Sequence, residues 1–263
     1  MPSENAFATA IADVHRDRIV VRGHDLCRDL IGGTGFTEFF LLLLTGARPT
    51  PLLVRATDAC LIAIAEHGFV PSVQAARMTL AGAPEAVQGA VAAGLLGAGS
   101  VVLGASEVAG RLLADVAAEA EARGDADEAA RASLQALRAA RRPLPGFGHP
   151  THKDGDPRAA RLVALAHDWG VAGRHIAALA ALERNVAGAY GRALPVNVSA
   201  AIPALMLDAG YPPAALKGIP LLARCASLIA HLAEESERRL GFRLADAAIA
   251  KLAYDGPAEG SRP

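Results

Sequence analysis

The residues best suited to chemistry lie in one short segment, PLPGFGHPTHKDGDPRAARL at 143–162. Four prolines and three glycines interrupt an otherwise helical pattern there, so we expect a shaped loop. His149 follows two glycines that let the backbone approach a ligand closely, and Arg158 enters the first turn of the next helix. The alternative is a surface loop in which His149 only hydrogen-bonds a backbone carbonyl. The combination of His149, Lys153, Asp156 and Arg158 with the glycines favours a site that holds an anion.

A second candidate is Arg224, which lies in the otherwise apolar helical stretch LLARCASLIAHL. An unpaired guanidinium among apolar side chains is costly, so Arg224 should have an anionic partner. The residues leave two partners open: a carboxylate of a substrate, or an internal Asp or Glu.

The composition is typical of closely packed helices. Of the 263 residues, 52% are hydrophobic but only 4% aromatic, and 60 are alanine. The length fits one large domain or two unequal ones. The formal net charge of -1 lacks the basic footprint of a nucleic-acid-binding protein, so we expect no nucleic-acid partner.

Targeting and metal-binding signals are lacking in the sequence. Cys27, Cys60 and Cys225 lie far apart, which excludes a disulfide framework and a zinc cluster, and no P-loop or acidic cluster suggests a nucleotide or metal. The first residues lack a signal-peptide pattern, so the cytoplasm is the expected compartment. The 21 uncharged residues at 86–106 are long enough to span a bilayer, but their many glycines favour a buried core helix and no membrane partner.

Periodicity and breakers predict an all-α protein of about ten helices with a single strand at 19–23, IVVRG. Thr37 is the candidate N-cap of the first helix, and Gly124 with Asp125 divides two amphipathic helices within 107–142. Asp156 caps a helix that starts at Pro157. The helices are expected at 37–45, 52–66, 71–80, 84–97, 107–142, 157–169, 173–190, 197–209 and 213–238, with an irregular arm after Gly256.

The loop GFGHPTHKDGDPRA resembles the signature of the citrate synthase superfamily, usually GFGHRVYKxxDPRA. Three further blocks resemble the family in the same order: RGHDL with FTEFFLLLLTGARPT, AEHGFVPSVQAAR, and ARCASLIAHLAEE followed by YDGP. Together they cover residues 17–257. The short length and the HPTHK loop are most similar to citryl-CoA lyases and to the citrate-synthase-like module of ATP citrate lyase.

The resemblance implies a large and a small helical domain that close over a cleft. The large, dimer-forming domain would be 1–108 with 216–263, and the small domain 109–215 would carry the substrate loop 143–158. The partners would be a CoA ester and a small carboxylate. No covalently bound cofactor is implied, because the CoA thioester is the substrate.

Roles in substrate binding follow from the same resemblance. His67 and His149 would hydrogen-bond the oxaloacetyl moiety, while Arg158 and Arg224 would each hold a carboxylate in two-pronged geometry. A helix-terminal core histidine is the alternative for His67. Asn197 matches the asparagine of the family's NVD block and would also bind the substrate.

Two further groups of residues complete the implied site. The phosphates of CoA would lie near Lys153, although a solvated lysine is the alternative, and the adenine against Leu144, Pro145, Gly146, Phe147 and Gly148. An arginine of the C-terminal arm, with Arg243 as the candidate beside Arg238 and Arg239, would complete the site of the neighbouring subunit in a homodimer.

Two positions depart from the family pattern. Val102 stands where the family has the histidine that polarises the acetyl-CoA carbonyl, and Ser199 stands where it has the aspartate that removes the methyl proton. A serine hydroxyl without a partner is not a general base near neutral pH. Backbone N–H groups near Leu103 and Gly104 are the expected compensation for the lost donor.

These departures favour cleavage over condensation. His149 would take the proton of the tertiary hydroxyl of citryl-CoA, and Ser199, His152 or water would protonate the departing enolate. A citryl-CoA lyase is therefore the expected function. A synthase for another acyl-CoA and 2-oxo acid, and a non-catalytic binder of CoA thioesters or carboxylates that regulates a partner, remain the alternatives.

Overall fold

The computed structural model describes residues 7–99, 103–148, 153, 155–257 and 259. Within these residues the chain forms eleven α-helices, a single π-helical turn at Leu26–Leu30, a 3₁₀ turn at Pro213–Ala215 and three short strands. The predicted all-α class is confirmed. The described residues form two compact units, one from Met1–Ala63 with Ala105–Ile219 and the other from Ile64–Gly104 with Pro220–Pro263.

A small antiparallel sheet near the start of the first unit contains β1 (Ala12–Val14), β2 (Ile19–Val21) and β3 (His24–Asp25). The strand predicted at 19–23 is present as β2, but the expectation that it would be the only strand is wrong. β1 is exposed throughout and β3 contains two polar residues, so neither has the apolar pattern that marks a strand in a sequence. Arg22 and Gly23 both have positive φ and form the tight turn between β2 and β3.

The first unit contains most of the helices. They are α1 (Phe36–Thr45), α2 (Pro51–Ala65, whose last two residues belong to the second unit), α5 (Ala105–Arg123), α6 (Ala126–Ala139), α7 (Pro157–Asp168), α8 (Arg174–Tyr190) and α9 (Val198–Asp208). The predicted break at Gly124 and Asp125 is confirmed, since Asp125 caps α6 by accepting hydrogen bonds from the N–H groups of Asp127 and Glu128. The prediction that Thr37 is the N-cap of the first helix is wrong. Gly35 is the N-cap of α1, and the Thr37 hydroxyl instead hydrogen-bonds Asp58 on α2 at 2.5 Å.

Helix α9 is the centre of the first unit, with α5, α7 and α8 packed on it. It is buried continuously from Ala200 to Met206, so almost every side of the helix is covered. A Cβ at Gly110 of α5 would come within 3.2 Å of Pro203 Cβ on α9. The small side chains therefore allow the close helix packing that the composition predicted.

The second unit contains α3 (Pro71–Gly82), α4 (Val87–Leu96), nearly all of α10 (Gly218–Glu237) and α11 (Gly241–Ile249). Its apolar core joins α3, α4 and α10 through Val73, Ala76, Leu80, Ala90, Leu228 and Leu232. Beyond α11 the described residues 250–257 are irregular, so the arm starts earlier than the predicted Gly256.

The uncharged stretch at 86–106 forms a shorter helix than expected, because α4 ends at Leu96. Close packing is present: a Cβ at Gly94 would approach the Ser72 carbonyl oxygen to 2.8 Å. The expected buried core helix is present only in part, because Ala90 and Gly94 are buried whereas Val87 is 48% exposed and Leu96 87% exposed. Elsewhere in the described chain, Pro213–Glu237 meets the length and hydropathy of a membrane-crossing helix, a test that buried helices of soluble proteins also meet.

The boundaries of the predicted domains differ from those of the observed units. The prediction joined 1–108 to 216–263, whereas the described parts of Met1–Ala63 belong with Ala105–Ile219. The units are groupings of contacts in one chain and do not test which segments form a dimer. The domain assignment stays a prediction.

Candidate functional site

Residues 146–148 of the glycine-rich loop are fastened to the segment that leads into α9. Phe147 pairs with Val196 as an antiparallel bridge, and the Gly148 N–H donates to the Pro195 carbonyl at 2.7 Å. The Asn197 N–H donates to the Gly146 carbonyl at 2.9 Å. Gly146 has φ +82°, and a Cβ on it would lie 3.0 Å from the Cα of Ala200. Only glycine fits this position, so the loop can lie directly on the start of α9.

Asn197 uses both ends of its side-chain amide within the chain. Its Nδ2 donates to the Gly148 carbonyl at 2.6 Å, and its Oδ1 accepts from the Ser199 N–H at 2.9 Å as the N-cap of α9. Asn197 therefore links the loop to the helix that carries Ser199. Its predicted contact with substrate stays a prediction.

A cavity of about 530 Å³ opens beside this loop. Four of the six residues predicted to bind CoA line it: Leu144, Phe147, Gly148 and Lys153. Its other walls are Pro143 and the segment at 190–195 (Tyr190, Arg192, Ala193, Leu194, Pro195). Pro145 and Gly146 lie in the same turn without lining the cavity. Lys153 of the loop and Arg192 of the segment at 190–195 thus lie at a largely apolar cleft.

Asp156 organises the other end of the loop. Its side chain is buried, and Oδ1 accepts from the Arg158 N–H at 3.0 Å and from Arg158 Nε at 2.9 Å. Oδ2 accepts from Arg158 Nη2 at 2.9 Å and from the Val198 N–H at 3.0 Å. Burial alone would raise the pKa of Asp156, but the hydrogen bonds from Arg158 and Val198 outweigh it and lower the pKa to about 2. One carboxylate therefore joins the first turns of α7 and α9.

The Asp156 pair defines how Arg158 could meet a ligand. The pair occupies Nε and Nη2 of the guanidinium, whose side chain remains 22% exposed. A substrate carboxylate would therefore bind mainly through Nη1 of a guanidinium whose orientation Asp156 already fixes. That contact stays a prediction.

Three residues named from the sequence, Val102, His149 and His152, lie outside the described residues. The neighbouring backbone is described from Leu103, which has φ +65°. The Gly104 N–H donates to the Gly99 carbonyl at 2.9 Å. The Gly104 N–H is therefore engaged within the chain, and compensation by backbone N–H groups near Leu103 and Gly104 stays a prediction.

In the second unit, Arg224 on α10 is 3% exposed, and its Nε and Nη1 have no hydrogen-bond partner in the part of the chain described. Burial lowers its pKa, and the nearby negative charge of Glu66 acts in the opposite direction. Glu66 is thus an internal carboxylate of the kind that the sequence left open as a partner of Arg224. It acts on Arg224 only through its charge and does not hydrogen-bond these two nitrogens. An anionic ligand would do so.

The turn that carries His67 is shaped by the preceding residue. Glu66 Oε1 accepts from the N–H groups of His67 at 3.0 Å and Gly68 at 2.5 Å. Its Oε2 accepts from Ser227 Oγ at 2.6 Å and lies 3.0 Å from His231 Nε2, both on α10. Burial would raise the pKa of Glu66, but these hydrogen bonds and the neighbouring His231 lower it. His67 itself is exposed, and its role as a ligand of substrate stays a prediction.

Sequence reasoning missed Glu66, His231 and Arg77 as parts of the site. Arg77 on α3 is fully buried and bonds His231, Glu234 and Glu235 of α10. The available signal was the appearance of His231, Glu234 and Glu235 at the end of the mostly apolar α10. Arg243 lies exposed on α11, and its proposed contact with a neighbouring subunit is untested.

The sequence is similar to that of citrate synthases. The family model described as citrate synthase, C-terminal domain, matches residues 5–244. Citrate synthase 2 of Bacillus subtilis is 35% identical over 134 residues, which are 50% of this chain and 33% of the relative. The 2-methylcitrate synthase of Shewanella oneidensis is 36% identical over 138 residues, 50% of this chain and 34% of that protein. The matches to these curated relatives thus span about a third of their length.

Solved structures match over a longer span. Citryl-CoA lyase from Hydrogenobacter thermophilus has a TM-score of 0.86 and 28% identity, covering 98% of this chain and 97% of that one. ATP citrate lyase from Methanothrix soehngenii, solved with citrate and coenzyme A, has a TM-score of 0.77 and 21% identity over 98% of this chain and 43% of its own. The second likeness shows the fold alone.

Proposed function

The chain belongs to the citrate synthase family, and on that premise we propose that it cleaves a CoA thioester of the citryl-CoA type into acetyl-CoA and oxaloacetate. The observation that carries the proposal is the agreement with citryl-CoA lyase from Hydrogenobacter thermophilus along nearly the whole of both chains. The citrate synthases it resembles are about three times the matched length. Each sequence match to a synthase covers only half of this chain, whereas the structural match to the lyase covers 98% of it, and this difference favours the lyase.

The described residues suit the two halves of such a substrate. In the first unit, the cavity of about 530 Å³ beside Lys153 offers an apolar wall for the adenine and a cation for the phosphates of CoA. In the second unit, buried Arg224 has two unpartnered nitrogens that a carboxylate of the oxaloacetyl part would satisfy. Arg158, oriented by Asp156, is the candidate for another carboxylate.

Cleavage also fits the two replaced positions. Condensation must remove a proton from the methyl group of acetyl-CoA, and Ser199 is no base for that step. Cleavage begins at the hydroxyl of citryl-CoA, whose proton His149 would take as the carbon–carbon bond breaks and oxaloacetate forms. The electron pair passes to the enolate of acetyl-CoA, which takes a proton from Ser199, His152 or water. With Val102 in place of the histidine donor, the enolate loses stabilisation of about 3 to 4 kcal/mol, so turnover should be slow.

The experiment supplies the purified protein with citryl-CoA and follows oxaloacetate with malate dehydrogenase and NADH, while free acetyl-CoA is measured chromatographically. We expect equal amounts of both products. Citrate formed from acetyl-CoA and oxaloacetate, without cleavage of citryl-CoA, would favour the synthase alternative. CoA binding without turnover in either direction would favour the regulatory binder, the alternative to which Val102 and Ser199 give weight.

A further inference from the structure

The second unit contains a chain of hydrogen bonds that starts at a buried arginine and ends at the turn bearing His67. Arg77 Nη2 lies 3.1 Å from His231 Nδ1, and His231 Nε2 lies 3.0 Å from Glu66 Oε2. Glu66 Oε1 then accepts the backbone N–H groups of His67 and Gly68. We refer to Arg77, His231 and Glu66 as the Arg–His–Glu chain.

The chemistry of arginine settles which nitrogen of His231 carries the proton. A guanidinium can only donate hydrogen bonds, so Nδ1 of His231 must be the acceptor from Arg77. The imidazole then donates through Nε2–H to the Glu66 carboxylate. The two ring nitrogens of His231 therefore link the Arg77 guanidinium to the Glu66 carboxylate.

The arginine end of this chain is rigidly held. Arg77 is 0% exposed, and its Nη1 donates to Glu235 at 3.1 Å while Nη2 also meets Glu234. The guanidinium carbon lies 4.8 Å from the centre of the Phe69 ring, a cation–π contact. Phe69 follows His67 and Gly68, so the same arginine packs on the turn that Glu66 shapes.

The glutamate end faces both residues that would hold the oxaloacetyl part of a substrate. Glu66 binds the main chain of His67 directly, and its Oε2 accepts from Ser227, which is three residues beyond Arg224 on α10. The charge of Glu66 acts on the buried Arg224 guanidinium. A shift of this carboxylate would therefore move the His67 turn relative to α10.

We propose that His231 and Glu66 are positioning residues, which hold the His67 turn against α10 so that His67 and Arg224 meet the same small carboxylate ligand. The inference rests on the proposed function, in which those two residues bind the oxaloacetyl part. Neither His231 nor Glu66 needs to touch the substrate. Because the Glu66 bond to Nε2 carries the effect, the loss of that bond should matter more than the loss of the Arg77 bond.

A matched pair of variants separates the two bonds of His231. In His231→Asn, an amide oxygen can replace Nδ1 as the acceptor from Arg77, but nothing reaches Glu66. In His231→Gln, an amide N–H can replace Nε2–H as the donor to Glu66, while the bond from Arg77 is lost. The exposed His167 of α7 provides controls that carry the same changes, His167→Asn and His167→Gln.

The measurements are the Kd of oxaloacetate and the Kd of CoA by calorimetry, with melting temperature as the test of folding. We expect His231→Asn to weaken oxaloacetate binding about 10-fold or more, the usual range for a hydrogen bond to a charged group. His231→Gln should stay within about 3-fold of the wild type. CoA binding, assigned to the cavity of the first unit, should be unchanged in both variants. If the role of His231 were purely structural, the loss of oxaloacetate affinity in each variant would instead follow the fall in its melting temperature.

Should His231→Asn fail to fold, Ser227→Ala removes another hydrogen bond to Glu66 Oε2 and leaves His231 intact. It should weaken oxaloacetate binding and leave CoA binding unchanged. Wild-type oxaloacetate affinity in a folded His231→Asn or Ser227→Ala variant, or equal losses in the Asn and Gln variants, would overturn the inference and leave the proposed function standing. If the wild type binds neither oxaloacetate nor CoA, the proposed function fails and this inference fails with it.

Discussion

Asp156 and Arg158, two residues apart, form a two-pronged ion pair in which the carboxylate also accepts the Arg158 backbone N–H. The same carboxylate caps α7 and accepts the Val198 N–H at the start of α9. Its side chain is fully buried. One carboxylate thus serves as helix cap, as counter-ion and as the link between the first turns of α7 and α9.

Removal of this carboxylate should strongly destabilise the protein. Asp156→Ala leaves the Arg158 guanidinium, which is 22% exposed, without its partner, and the free energy of unfolding should fall by about 3 to 5 kcal/mol. Asp125→Ala is the matched control, because Asp125 is an exposed cap of α6 and its loss should cost about 1 kcal/mol. Urea unfolding of both variants measures the difference. Equal losses would show that the buried pair adds nothing beyond capping.

The lowered pKa of Asp156 predicts a contribution to acid unfolding. Its pKa is about 2 in the folded protein, below the ordinary value of 3.8, so the unfolded chain binds this proton more readily. The stabilisation of about 2 kcal/mol is present above pH 4 and is lost as the pH falls towards 2. Asp156→Asn should remove this part of the pH dependence. If urea midpoints of wild type and Asp156→Asn fall in parallel between pH 5 and 2, the carboxylate is not responsible.

The elements that the sequence predicted well are those set by neighbouring residues. The break at Gly124 and the caps at Asp125 and Asp156 each depend on contacts within three positions along the chain. Thr37 has the same capping chemistry, but Asp58, 21 residues away, takes its hydroxyl, and α1 starts at Gly35 instead. A local rule failed there because a tertiary partner competed for the same group.

The candidate site shows the same division. The family resemblance assigned Leu144, Phe147, Gly148 and Lys153 to one site, and they line one cavity because they lie within ten residues of the chain. The Arg–His–Glu chain joins residues 154 and 165 positions apart, and nothing in the periodicity of α3 or α10 pairs them. Only the packing of those helices showed that Arg77 bonds His231 and that Glu66 accepts from it.

CoA binding should depend on Lys153 and on salt. The lysine lines the candidate cavity with Arg192, and both would face the phosphates of CoA. Lys153→Ala should weaken CoA binding about 3- to 10-fold in low salt, and this difference should shrink as salt screens the charges. Lys217→Ala, an exposed lysine outside the cavity, is the control. If CoA binding does not depend on salt and is unchanged in Lys153→Ala, the phosphates of CoA do not bind near Lys153.

The protein should be a dimer through the apolar surface of the second unit. Within one chain, Leu96 of α4 is 87% exposed and Phe242 of α11 is 66% exposed. Burial of such residues against a second copy is the usual way to cover an apolar face. Leu96→Glu should shift a dimer towards monomer by light scattering at micromolar concentration, whereas Ala132→Glu, at an exposed position of α6, should not. A monomeric wild type would contradict both the dimer and the role proposed for Arg243.

His149 separates an enzyme from a binding protein. It is the histidine of the signature loop, and the proposed function assigns it the hydroxyl proton of citryl-CoA. His149→Ala should lower kcat about 100- to 10,000-fold, the usual contribution of a positioned acid or base. His149→Asn keeps a hydrogen-bond donor but cannot take the proton, so it should bind citryl-CoA nearly as well as the wild type without turnover. The exposed His167→Asn should retain full activity. If His149→Ala changes only the Kd of the CoA ester and leaves a measurable kcat intact, another group takes the proton; if the wild type turns over no CoA ester, the regulatory alternative stands.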